Sequence, residues 1–165
     1  MFSVKIKVKN KNPEAYDKLK KRLLHMSEKK VVAGFPKGKL NNPHYEGSKN
    51  HAGPSIIDVA IWNEFGTNNI PRRDFMSIAT KKWQEYFSLM VEQYKDEIIS
   101  GKIDIDTFLN LMGEAGAEFI SEAIVKLSDP PNAPATIKRK GSSNPLVDTG
   151  DMSKAPTYEL RNKEK

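Results

Sequence analysis

Cysteine is absent from this 165-residue sequence, histidine occurs only three times, and no apolar run approaches the length of a bilayer-spanning helix. The first absence excludes disulfides, thiolate metal ligands and cysteine nucleophiles, and nothing ties the chain to an oxidising compartment. The three histidines, His25, His44 and His51, fall into no His-x-x-x-His or Glu-x-x-His spacing, so no helix face offers a pair of metal ligands. A Gly-x-Ser-x-Gly elbow is missing, and Pro36-Lys37-Gly38-Lys39 lacks the spacing that wraps a phosphate in backbone amides. No cofactor is expected. The N-terminal stretch alternates apolar and basic residues instead of forming an apolar signal segment, so a cytoplasmic setting without membrane contact is expected.

What is present suits one soluble domain. Charged residues make up 29% and hydrophobic residues 38%, enough apolar material for a core beneath a polar surface. The net charge of +6 is uneven: residues 1–40 hold 12 Lys and Arg against 3 Asp and Glu. Such a field attracts nucleic acid or an acidic surface, and Lys18, Lys20, Lys21 and Arg22 are its candidate DNA or phosphate contacts.

Hydrophobic periodicity then places the elements. Phe2, Val4, Ile6 and Val8 alternate with polar residues as in a half-buried strand. Asn12-Pro13-Glu14 supplies a cap, a first-turn proline and an acid, the opening of a helix whose apolar side holds Tyr16, Leu19, Leu23 and Met26. Val31-Val32-Ala33-Gly34-Phe35 reads as a second strand, and residues 36–55 as a long, mobile loop rich in glycine and proline. A short helix follows with Ile57, Ala60, Ile61 and Phe65 facing inward, and Gly66 is placed to end it. Beyond Pro71 a long helix buries Phe75, Ala79, Trp83, Phe87, Met90, Tyr94 and Ile98 and closes near Gly101. Another, over 104–127, turns Ile105, Phe108, Met112, Ala115, Phe119, Ala123 and Leu127 inward and Glu114, Glu118 and Glu122 outward. Residues 129–145 read as loop with one helical turn from Ala135 to Arg139. Thr157-Tyr158-Glu159-Leu160-Arg161-Asn162 reads as a final strand, with a flexible tail at 161–165. The fold class implied is α+β: a small sheet from N- and C-terminal strands packed on two long helices.

Leu146-Val147-Asp148-Thr149-Gly150 contains the Asp-Thr-Gly triplet on which aspartic proteases mount a catalytic carboxylate. Only 15 residues follow Gly150, too few for the β-rich walls and flap of such an enzyme. The triplet is better read as a turn, capped by Asp148 or Thr149 with Gly150 at positive φ. No catalytic residue is assigned.

Two stretches share a further property. Asn63-Glu64-Phe65-Gly66 and Ile70-Pro71-Arg72-Arg73-Asp74-Phe75 are followed, after the helical middle, by residues 134–141 and by Leu146-Val147-Asp148-Thr149-Gly150. In this order they resemble the tail-component and virion-morphogenesis family of tailed double-stranded DNA phages, whose members are called neck, tail-completion or minor tail proteins. The family pattern runs His/Asn-Glu-Phe-Gly, Ile-Pro-x-Arg-x-Phe, Pro-x-Thr-Ile-x-x-Lys-Gly and Leu-Ile-Asp-Thr-Gly; Arg72 stands where a small residue is commoner. The resemblance spans roughly residues 31–160 and implies a non-enzymatic structural protein of the phage neck or tail, assembled in the host cytoplasm. It would form a homo-oligomeric ring or dock to neck and tail-end proteins, with non-specific contact to genomic DNA where a basic face lines the channel. The implied subunit or partner interface comprises Glu64, Phe65, Gly66, Pro71, Arg72, Arg73, Pro134, Thr136, Lys138, Lys140, Asp148, Thr149 and Gly150. For Arg73 two partners stay open, an acidic neighbour on another subunit or a group within its own chain.

Overall fold

A computed structural model describes residues 12–35 and 54–163. The strand expected over Phe2 to Val8 and most of the loop expected over 36–55 lie outside the described residues. The class is α+β, with six helices and one two-stranded antiparallel sheet among the described residues. The order is α1 (Pro13–Glu28), β1 (Lys29–Gly34), α2 (Ile56–Phe65), α3 (Phe75–Ser100), α4 (Ile105–Lys126), α5 (Pro134–Lys140), α6 (Asp151–Lys154) and β2 (Thr157–Asn162). No helix among the described residues is long and apolar enough to cross a membrane.

α1 starts where Asn12 accepts the Ala15 N–H on its side chain at 3.1 Å, and it runs directly into β1. β1 pairs with β2 from Lys29 opposite Asn162 to Gly34 opposite Thr157. Arg161 and Asn162 are therefore strand, not the start of a loose tail, and Lys163 adds a backbone bond to Glu28 O at 2.7 Å. The strand holds them because each extra rung pairs another N–H and C=O that would otherwise need water.

α3 and α4 form an antiparallel pair joined by Gly101, whose φ of +77° makes the left-handed cap that ends α3. α4 is the central element, packed on α3, on both strands and on α6. Its buried stripe is accordingly wider than periodicity alone suggests: Leu109, Gly113, Gly116, Ile120 and Ile124 join the expected Ile105, Phe108, Met112 and Ala123. Ala115 and Phe119 are only half-buried. Gly113 and Gly116 are contact surfaces; a Cβ on Gly113 would lie 2.2 Å from the Tyr158 ring, and one on Gly116 2.7 Å from the Trp83 indole. The two aromatics lie flush against the helix backbone there, and Trp83 Nε1 donates to Met112 O at 2.7 Å.

Two apolar clusters result. One gathers Ala60, Phe75, Ala79, Ile120, Ala123, Ile124, Leu127, Leu146 and Met152; the other holds Ile98, Ile105, Phe108, Leu109 and Met112 near the α3–α4 turn. The first ties α2, α5's flanking segment and α6 to the long helices, and it supports the site described next.

Candidate functional site

The corner between α2 and α3 is built by polar groups that face inward. Gly66 sits at φ +77°, where a side chain would be strained and also crowded, since a Cβ would lie 3.1 Å from Arg72 N and 3.2 Å from Ile70 O. Thr67 closes the loop: its N–H donates to Ile70 O at 2.8 Å, and its hydroxyl accepts the N–H groups of Asn69 and Ile70 at 3.2 and 3.1 Å. The chain then returns so that Arg73 lies against Asn63, with Arg73 N–H donating to Asn63 O at 2.7 Å and Nη1 donating to Asn63 Oδ1 at 2.8 Å. The Asn63 amide donates in turn to Val59 O at 2.8 Å.

Arg73 is only 4% exposed, and its remaining donors cross to the second stretch: Nε to Pro130 O at 2.9 Å, Nη2 to Pro131 O at 3.3 Å and to Asn132 Oδ1 at 3.1 Å. Of the two partners left open for Arg73, the structure provides the one within its own chain. Burial lowers its pKa from the ordinary value, yet a guanidinium starts so high that it stays charged.

Glu64 is buried as well and serves α3. Its Oε2 accepts the Met76 N–H at 2.9 Å, and Ser77 Oγ donates to Oε1 at 3.4 Å. Asp74, at the position that usually caps, makes no side-chain cap bond. A carboxylate from the preceding helix thus fills the N-terminus of α3, where the helix dipole and unpaired N–H groups favour negative charge.

The second stretch is ordered by asparagines. Asn132 Nδ2 donates to Asn144 O at 3.2 Å; Asn144 Oδ1 accepts the N–H groups of Leu146 and Val147 at 2.9 and 3.0 Å, and its amide donates to Val125 O at 2.7 Å. This pins the segment to the end of α4. Between the asparagines, α5 starts on Pro134 and ends at Gly141 with φ +70°, a full short helix where one turn was expected. Lys140 Nζ donates to Asn144 O at 3.2 Å and to Pro145 O at 3.4 Å. Thr149 Oγ1 accepts the Asp151 N–H at 3.4 Å and Gly150 has φ +85°, the turn geometry expected for the Asp-Thr-Gly triplet, here leading into α6.

The two stretches meet across a cleft of about 630 Å³. Pro71, Arg73, Thr136, Lys140 and Asp148, all expected interface residues, line it. Pro134, Lys138, Thr149 and Gly150 belong to the same segments but not to its lining, and Arg72 is exposed, 3.9 Å from Asp74. Glu64 and Phe65 border a second hollow of about 350 Å³ with Phe35, Ile61 and Met76. The inward face expected for α2 is corrected here: Ile61 and Phe65 are 48% and 73% exposed, whereas Asn63 and Glu64 are buried. α2 is apolar on nearly every side, so periodicity gives no direction; the polar partners at Arg73 and the α3 N-terminus decide which side turns in.

The basic N-terminal group lies elsewhere. Lys18, Lys20 and Lys21 are exposed on α1, while Arg22 Nη1 donates to Ile99 O at 3.0 Å and so fastens α1 to the end of α3. Sequence reasoning reads Arg139 with Lys138 and Lys140 as a basic cluster able to meet phosphates or acidic side chains, but leaves two contributors unassigned: Trp62, in the cleft lining, and the Asn132–Asn144 pair that shapes it. A signal for the pair exists in Ser142-Ser143-Asn144-Pro145, since asparagine before proline favours a side-chain-closed turn. No family model matches the chain, and neither a curated protein nor a solved structure matches it.

Proposed function

We propose that this protein is a structural assembly component of a tailed phage particle, acting at the head-tail junction by packing in a ring of its own copies or by docking to neck and tail-end proteins. The observation that carries the reading is the meeting of the two family-like stretches, far apart in sequence, around one cleft. In each stretch some residues are spent inside the fold and others face out. Asn63, Glu64, Arg73 and Asn144 hold the shape, while Phe65, Trp62, Pro71 and Arg72 face solvent. Exposed aromatics beside arginine are the side chains that dominate protein-protein interfaces, and an apolar row such as Ile61, Trp62 and Phe65 favours being covered. No bond is made or broken in this role.

Electron microscopy and light scattering of the purified protein, alone and with neck and tail-end proteins, provide the test. Rings or attached particles are expected, and Phe65→Asp should reduce them without unfolding the exposed end of α2. A protein that stays monomeric with every such partner and is missing from mature virions overturns the reading.

A second reading, a nucleic-acid-binding domain, is favoured by the exposed Lys18, Lys20 and Lys21 along α1. It requires DNA affinity that falls steeply with salt and is lost when these three lysines become alanine.

A further inference from the structure

Among the described residues, the cleft is lined by three cations, Arg73, Arg139 and Lys140, and one carboxylate, Asp148. Among the described residues Arg73 is bonded only to neutral oxygens, those of Asn63, Pro130, Pro131 and Asn132, so its charge is hydrogen-bonded without being neutralised at contact by any of them. Lys140 likewise rests on two backbone carbonyls. Burial lowers the Lys140 pKa, Asp148 opposes the shift, and Arg73 and Arg139 add to it. Arg139 is exposed and makes no hydrogen bond or ion pair among the described residues.

The rest of the lining mixes the polar Asn63, Asn69, Asn132 and Thr136 with a larger apolar share. Ile70, Pro71, Pro145 and Leu146 form much of it, and Trp62 stands at its side, 40% exposed. A concave trough of this volume, with apolar walls and polar groups between them, accepts a few side chains of a peptide. Duplex DNA fits it poorly, since phosphate tracking uses extended basic surfaces that leave the backbone in reach of many cations.

We propose that this cleft docks an acidic segment of a partner protein, seating a carboxylate between Arg139 and Lys140 and an adjacent apolar side chain against Trp62. The inference rests on the assembly reading and adds to it the chemistry of the partner at the point of contact. A carboxylate there forms charge-assisted bonds with a guanidinium that makes no other hydrogen bond or ion pair among the described residues, and proline-rich walls lose little freedom when it binds.

The test is fluorescence anisotropy of the full chain at low ionic strength with a panel of short labelled peptides carrying glutamates among leucines and prolines. The same peptides with glutamine in place of glutamate, and a short oligothymidine, are run beside them. Glutamate peptides are expected to bind at least about tenfold tighter than their glutamine counterparts, and Arg139→Ala to weaken them by roughly tenfold, the scale of one charge-assisted bond. Arg139 is exposed, so its variant should keep the wild-type melting temperature; Trp62→Ala should weaken glutamate and glutamine peptides alike. The proposal is overturned if no acidic peptide binds, if glutamate and glutamine peptides bind equally, if Arg139→Ala binds as wild type, or if oligothymidine outcompetes the peptides at the cleft. Peptide binding without rings or particle attachment would defeat the assembly reading alone; rings that persist without peptide binding would defeat this docking site alone.

Discussion

Asn63 and Arg73 are joined twice, backbone to backbone at 2.7 Å and side chain to side chain at 2.8 Å, so the end of one helix and the approach to the next are closed like a clasp. The same guanidinium then holds Pro130, Pro131 and Asn132. One buried cation thus sets the distance between the two walls of the cleft.

Arg73→Ala should destabilise the protein by roughly 3 kcal/mol, because it leaves several buried acceptors without donors. Arg73→Lys should recover only part of the loss, since an ammonium cannot reproduce the planar fork. Urea unfolding midpoints measure both.

Glu64→Ala should cost about 1–2 kcal/mol, the scale of a lost helix N-cap. Asp74→Ala should cost clearly less, although sequence position marks Asp74 as the cap, because its side chain makes no cap bond. Thermal unfolding of the two variants side by side decides the order.

Gly113→Ala and Gly116→Ala should each destabilise by about 1–3 kcal/mol, the usual cost of overpacking. In an exposed helix the same change stabilises by close to 1 kcal/mol. The sign reverses because the new methyl meets the Tyr158 ring at 2.2 Å or the Trp83 indole at 2.7 Å. Near-ultraviolet circular dichroism should report the displaced aromatics alongside the unfolding curves.

Acid should weaken the start of α2. Ser55 donates to Asp58 Oδ2 from its hydroxyl at 2.7 Å and from its N–H at 3.0 Å, which lowers the Asp58 pKa below its ordinary 3.8. A depressed acid stabilises the fold fully above the unfolded value and loses that contribution as pH falls through the lower folded value. The protection of amides at the start of α2, relative to their intrinsic exchange rate, should therefore fall only below about pH 4, and Asp58→Asn should remove this acid-dependent step.

The long helices were legible because α3 and α4 alternate apolar and polar residues over many turns, and Gly101 marks the break between them. The Asn12 cap and the pattern of β2 were equally readable. α2 was legible as a helix but not in orientation, since a helix apolar on nearly every side offers little contrast from which a direction can be read, and its buried Asn63 and Glu64 find their partners only after the chain folds back. The glycines of α4 were hidden for a related reason: a small residue inside a periodic stripe does not disclose which ring will lie against it. The cleft itself was legible as two motifs and not as one place, because Arg73 reaches the second wall across 57 to 59 residues of chain.

α1 contributes no fully buried residue, and its fastening includes the tips of two side chains, Arg22 on Ile99 O and His25 on Asp106 at 2.9 Å. Little oily surface is uncovered when such a helix lifts away, so its departure is separable from collapse of the body. It should act as a latch, its amides trading protons with solvent well before those of α4.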